Sequence, residues 1–214
     1  MSDPRTSHSI AVIGAGKIGR AVGELWLRAG HSVCFGSRIP ENLSAFVEAM
    51  GERASARSVA EAAAAGEIIF LAIPYPAVDE LIPSLQSFLS GKVVIDATNP
   101  FALSPAGGIV SSLDPGRTAG SRMASLLPQS MVVRAFSHVM DELLVSRGTT
   151  QSGLWAMAIA GDDPAAKQTA ASLVRDAGFV PEDIGLLAES SPLDPGGILF
   201  PHMFTPADMR AALG

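Results

Sequence analysis

The stretch Ser9-Ile10-Ala11-Val12-Ile13-Gly14-Ala15-Gly16-Lys17-Ile18-Gly19 decides the fold. Its first five residues form a near-continuous apolar run, the pattern of a strand buried on both faces of a parallel sheet. The run breaks at Gly14. From Lys17 to Ala29 the residues Ile18, Val22, Leu25 and Ala29 recur at helical spacing, and Gly30 stands where a left-handed residue closes a helix. The turn between strand and helix spells G-x-G-x-x-G. In a chain with 21 glycines that pattern alone says little. Directly after a strand and opening a helix, each glycine has its own physical role. Gly14 makes the tight turn, Gly16 lets the backbone approach a pyrophosphate, and Gly19 lets helix and strand pack closely. The helix N-terminus supplies free N–H groups for the phosphates, so Gly14, Ala15, Gly16, Lys17, Ile18 and Gly19 are candidates to hold a dinucleotide. The alternative is that the glycines only shape a tight turn in a fold that has no cofactor.

Working outward, the same alternation continues. Strands are predicted at His31–Gly36, Arg53–Arg57, Ile68–Ile73, Lys92–Ala97, Met131–Phe136 and Trp155–Ala160. Helices are predicted at Leu43–Met50, at Val59–Ala65 with Ser58 as N-cap, at Ala77–Leu89 and at Pro164–Ala177. Strand and helix in turn at this spacing imply right-handed crossovers and a doubly wound parallel sheet, the Rossmann NAD(P)-binding architecture in the α/β class. Residues 99–120 are crowded with Pro, Gly and Ser, and a connection of that length reads as a functional loop over the substrate. Near the end, Thr205-Pro206-Ala207-Asp208 carries an N-cap, a proline at the first helical position and an acid three residues on, the start of a short closing helix.

In versions of this fold that bind NAD, an acidic residue ends the second strand and holds the ribose. Here the sequence is Gly36-Ser37-Arg38, a hydroxyl and a guanidinium, which suit the 2′-phosphate of NADP(H). Ligands in open parallel sheets sit outside the carboxyl ends of the strands. Ile73-Pro74 and Asn99-Pro100 should therefore line the nicotinamide, with Ala135 nearby. Ser137 and His138 follow at the end of a later strand and are candidates to face the nicotinamide, His138 as a proton donor or to polarise a carbonyl. A structural role for His138 is the alternative. His8 and His31 look incidental, and His202 has no legible role.

Composition narrows the function. With 15 basic against 21 acidic residues and a net charge of −6, the chain lacks the basic footprint that nucleic acid or an anionic membrane requires. Its apolar runs are of strand length, well short of the ~20 residues of a membrane span. Residues 1–8 are polar and do not read as a targeting peptide, which points to the cytoplasm. Cys34 is the only cysteine, so an internal disulfide and a thiolate-rich metal site are excluded. It lies in a predicted strand, as a buried inert thiol would.

Taken in order, the glycine motif, Gly36-Ser37-Arg38, Ile73-Pro74, Ile95-Asp96-Ala97-Thr98-Asn99-Pro100 and Val132-Val133-Arg134-Ala135-Phe136 form a pattern that resembles the NADP-dependent coenzyme F420 oxidoreductases. Ala160-Gly161-Asp162-Asp163, Ala177-Gly178-Phe179 and Gly185-Leu186-Leu187-Ala188-Glu189 extend the likeness over most of residues 10–194. The same domain type is similar to the cytoplasmic part of the six-transmembrane metalloreductases. The resemblance implies an oxidoreductase in which hydride passes between NADPH and a small-molecule partner, a deazaflavin (coenzyme F420) or a flavin, stacked on the nicotinamide. It also implies an NADP-binding domain over residues 1–185, a C-terminal extension over 186–214 that helps to form the acceptor site, and a homodimer. Such transfer asks mainly for orientation, so the protein need not supply an acid–base pair. The chain departs from the family pattern at His138, bulkier than the usual residue, and at Ser190-Ser191, where many members carry an Arg. Two other functions stay open: reduction of a small metabolite with His138 or Asp141 as proton donor, and NADP sensing without turnover.

Overall fold

The computed structural model describes residues 7–214, so the first six residues of the N-terminal segment lie outside it. Strand β1 (Ser9–Ile13) leads through the glycine turn into helix α1 (Lys17–Ala29), closed by Gly30 at φ 103°. β2 (Ser32–Ser37), α2 (Ser44–Met50) and β3 (Ala54–Ser58) follow. α3 (Val59–Ala65) begins on a capping box: Ser58 Oγ accepts from the Glu61 N–H, and the Glu61 carboxylate accepts from the Ser58 N–H. Next come β4 (Ile68–Leu71), α4 (Val78–Leu89) and β5 (Val93–Asp96).

Residues 99–120 are not an unstructured loop. They fold as a hairpin of β6 (Phe101–Leu103) and β7 (Ile109–Ser111), then enter α5 (Ala119–Leu126). The chain continues with β8 (Met131–Arg134), α6 (Asp141–Thr150), β9 (Ala156–Gly161), α7 (Pro164–Asp176), β10 (Val180–Asp183) and α8 (Pro206–Leu213), the last capped by Thr205 as expected.

Eight strands form one sheet in the order β10-β9-β8-β5-β4-β1-β2-β3. The six from β8 to β3 are parallel, as the alternation required. β9 instead meets β8 antiparallel, so β9 and its parallel partner β10 run against the rest. The chain winds outward from β1 through β2 and β3, then returns to β4 on the other side. The switch point, and the crevice it opens, therefore lie between the ends of β1 and β4.

Both faces of the sheet are covered. On one, α1, α6 and α7 bury Trp26, Phe70, Phe136 and Phe179, whose rings meet edge to face. On the other, α3, α4 and α5 pack Ala62, Ile82 and Met123 onto Ile13, Leu71 and Val94. β9 shares its side chains between two cores. Met157 and Ile159 join the first, while Ala156, Ala158 and Ala160 meet Leu193, Leu199 and Met209 from the C-terminal segment. Residues 191–213 thus take the place of a helical layer over this strand.

Candidate active site

The glycine turn is shaped by contacts that no larger residue could make. A Cβ on Gly14 would lie 2.5 Å from the Ala72 carbonyl oxygen, because β1 and β4 end side by side, and Gly14 also adopts φ 102°. A Cβ on Gly19 would lie 2.0 Å from the Gly14 carbonyl oxygen, so α1 leaves the turn at the closest approach backbone permits. Gly16 differs: nothing lies within 4 Å of its would-be Cβ. That open space leaves room for an anion to approach the backbone, and a side chain would fill it. Gly16 is also the N-cap, so no side chain occupies the first N–H groups of α1, and its first turn holds no acid. This cradle suits an anion. Arg20 Nε donates to the Ala15 carbonyl at 2.9 Å and braces the loop, while Gly14 N–H ties it to the Gly36 carbonyl at the end of β2.

At that strand end, Ser37 Oγ accepts from the Ile39 N–H in a tight side-chain turn. Arg38 beside it is exposed, and among the described residues no carboxylate pairs with it. Lys17 is exposed at the mouth of the turn, 3.7 Å from the Asp141 carboxylate in the first turn of α6. The crevice mouth therefore carries two cations, one of them answered by an acid.

The loops after β4 and β5 also reach this end of the sheet. Ile73 is buried and Pro74 exposed, and Tyr75 is pinned by Arg122, whose guanidinium lies over its ring and donates to its hydroxyl at 3.2 Å. Asn99 is held from both ends: its amide donates to the Ser137 carbonyl at 2.6 Å and its oxygen accepts from Arg134 Nη2 at 3.2 Å. Ala135 is fully buried behind them.

His138 does not face the crevice. It is 0% exposed; Nδ1 lies 3.2 Å from the His202 carbonyl and Nε2 accepts from the Ala158 N–H. The reason is the antiparallel turn of the sheet. Pairing of β8 with β9 ends at Arg134 and Ala160, so the Ala158 N–H needs another acceptor, and the imidazole supplies it. Nδ1 must then carry the proton, and burial pulls the pKa of His138 down to about 4. This environment corrects the reading of His138 as a proton donor at the nicotinamide. Ser137 is likewise buried, at 2%, and its hydroxyl finds no partner among the described residues. Phe136, between them and the strand, is held at φ 59°, in the left-handed region where a non-glycine residue is strained. That turn directs the Ser137 carbonyl to Asn99.

Sequence reasoning missed the most heavily bonded group near the crevice. Arg134 is fully buried, donating from Nη1 to the Asp96 carboxylate at 3.0 Å and from Nη2 to the Asp194 carboxylate at 3.1 Å as well as to Asn99. Asp194 also accepts from the Ala119 N–H at 2.9 Å, the start of α5. Burial pushes the Asp194 carboxyl above the usual range, an effect that Arg134 opposes. A signal existed: Arg134 is the lone charge in an apolar strand, and a buried charge demands a partner. The partner Asp194 lies 60 residues away, where no local pattern points to it.

The fold and the glycine cradle define the class: a doubly wound α/β protein of the Rossmann type, with a strand–glycine turn–helix entry to its crevice. Residues 9–100 match the family described as NADP oxidoreductase, coenzyme F420-dependent, in accord with the resemblance seen in the sequence. Metalloreductase STEAP3 from Rattus norvegicus is 28% identical over 187 residues, which are 87% of this chain and 36% of that protein. The chain thus spans about a third of the length of the curated relatives it matches. Among solved structures, a hypothetical protein, SMa0349, from Sinorhizobium meliloti superposes with a TM-score of 0.78 at 27% identity, over 92% of this chain and 95% of that one. A protein from Arthrobacter sp. FB24, solved as a candidate F420-dependent NADP reductase, gives 0.74 at 22% identity over 85% and 86%, a likeness of fold. Among the described residues no helix is long and apolar enough to cross a membrane.

Proposed function

We propose that the chain transfers hydride between NADPH and a deazaflavin, coenzyme F420, or a flavin. The observation that carries this reading is that the matched residues 9–100 hold the crevice from the glycine cradle to Asn99-Pro100. The bound pair supplies the chemistry: hydride leaves NADPH as it becomes NADP+, and the acceptor ring takes that hydride with a proton from water. The protein's share is position. Gly16 and the first N–H groups of α1 hold the pyrophosphate, Ser37 and Arg38 hold the 2′-phosphate, and Ile73-Pro74 with the braced Asn99-Pro100 form a stiff wall for the nicotinamide. The state of His138 supports transfer between two rings over reduction of a metabolite that needs a proton donor in the crevice. For the metabolite reading the remaining donor is Asp141, whose carboxylate is 26% exposed beside Lys17.

The test is to follow cofactor absorbance after adding coenzyme F420, FMN, FAD or a ferric chelate to protein and NADPH, with NADH as control. Fast oxidation selective for NADPH with a deazaflavin or flavin is expected. Oxidation only by a carbonyl or imine compound, lost in Asp141→Asn, overturns this reading in favour of the metabolite one; binding without oxidation by any acceptor points to a sensor.

A further inference from the structure

Arg20 directly follows the last glycine of the turn, near the start of α1, and its side chain is held from two sides. Nε donates to the Ala15 carbonyl at 2.9 Å, and the guanidinium lies over the Phe46 ring of α2, 5.0 Å from its centre. Phe46 in turn meets Phe35 of β2 edge to face at 5.2 Å. A long cation that would swing freely on a helix surface is thus fixed in direction before any ligand arrives. Arg20 is half-buried, and its two Nη nitrogens remain open to solvent. Among the described residues neither of them has a hydrogen-bond partner, and no carboxylate pairs with Arg20.

Periodicity places those nitrogens. A Cβ on Gly23 would lie 2.6 Å from the Phe35 ring, so Gly23 and Phe35 face each other across helix and strand. Arg20, three residues before Gly23, shares that face of α1 one turn nearer the crevice. Ser37, two residues after Phe35, shares that face of β2 one step nearer the crevice. Helix stripe and strand face advance together, which sets Arg20 against Ser37 and the exposed Arg38 that follows it. The Gly14 N–H, bonded to the Gly36 carbonyl at 3.2 Å, keeps the loop and this strand end together. A phosphate monoester at the end of β2 carries close to two negative charges near neutral pH, more than one guanidinium neutralises.

We infer that Arg20 is a second cation for the 2′-phosphate, so that selectivity for NADP is shared between a guanidinium fixed by the glycine loop and the freely exposed Arg38. This rests on the reading of Ser37-Arg38 as the 2′-phosphate site, and adds a determinant on α1, outside the residues that close β2. The bond to Ala15 also gives Arg20 a purely structural part, the bracing of the loop. NADP+ and NAD+ separate the two, because they differ only by the 2′-phosphate. Binding of each is measured by isothermal titration calorimetry at low ionic strength, with no hydride acceptor present. The unaltered protein should prefer NADP+ by about a hundredfold or more, and Arg20→Gln should cut that preference about tenfold while NAD+ binding stays within about twofold. Arg20→Lys, which keeps the charge without the anchor, should cut it only about threefold, and Arg20→Gln with Arg38→Ala should bring the two nucleotides within about threefold of each other. An equal fall for NADP+ and NAD+ in Arg20→Gln makes Arg20 a brace alone and overturns the inference. A preference that survives Arg20→Gln intact, or that Arg38→Ala abolishes by itself, overturns it too and leaves the NADP reading standing. If the unaltered protein shows no preference for NADP+, the 2′-phosphate reading itself falls and this inference with it.

Discussion

Arg38 and His138 show how a side chain's value depends on what surrounds it. Arg38 is exposed at the end of β2 and among the described residues no carboxylate pairs with it, so its charge can face a ligand. Charge-assisted hydrogen bonds to a phosphate contribute about 1.5–3 kcal/mol each. Arg38→Ala should therefore raise the KM for NADPH about ten- to hundredfold and leave that for NADH within about twofold; steady-state kinetics with both cofactors decide, and an equal loss for the two would refute the assignment. His138 is the opposite case, since its ring is consumed by backbone groups. Its folded pKa, about 4, lies below the value of 6.5 for an unperturbed histidine. The unfolded chain therefore takes up the proton first, and stability falls as pH drops from 6.5 towards 4, by about 3 kcal/mol in all. In His138→Gln that part of the pH dependence should vanish from urea unfolding curves. NADPH turnover near neutral pH should stay within a few-fold, whereas a hundredfold loss of kcat would restore a catalytic role.

Among the elements, the glycine turn separates fold from ligand binding. Gly19→Ala pushes a methyl group into the Gly14 carbonyl and should cost about 3 kcal/mol, several degrees of melting temperature. Gly16→Ala meets no protein atom, so the melting temperature should hold within about 2 °C while NADPH binding weakens at least about tenfold. Thermal melts with and without NADPH separate these outcomes; normal NADPH binding by Gly16→Ala would show that the pyrophosphate lies elsewhere. Elements with their own local signal were legible. β1 and α1 stood out by apolar run and helical period, α3 by Ser58 as N-cap, and α8 by Thr205 and Pro206. The hairpin, α5, α6 and β10 were not anticipated. β6 and β7 have three residues each, and β10 reads Val-Pro-Glu-Asp, a strand held by its pairing with β9 rather than by its composition.

For the molecule as a whole, Arg134 joins parts that the chain keeps far apart: β5 through Asp96, α5 and the C-terminal segment through Asp194, and the crevice through Asn99. Removing Asp194 leaves Arg134 paired with Asp96 but takes an acceptor from Arg134 Nη2 and from the buried Ala119 N–H, and a buried donor left unsatisfied costs about 1–3 kcal/mol. Asp194→Ala should thus lower the melting temperature and speed amide exchange across residues 186–214. NADPH affinity should change less than threefold, because the cradle is built from β1 and α1, while the KM for the acceptor rises. Exchange confined to the N-terminal half would contradict the coupling.

By itself the sequence determined the α/β class, the parallel order of the first half and the strand–glycine turn–helix unit, and it carried the expectation of NADP at the end of β2. These depend on contacts within a few residues: alternation, capping, glycines at a strand end, and the residue that closes β2. Only the tertiary structure decided that β9 reverses, that this reversal turns His138 inward to satisfy Ala158, and that Arg134 finds Asp194 across the fold. Such relations depend on which chain ends meet when the sheet closes, and pairing between residues distant in sequence leaves no periodicity in either segment to be read.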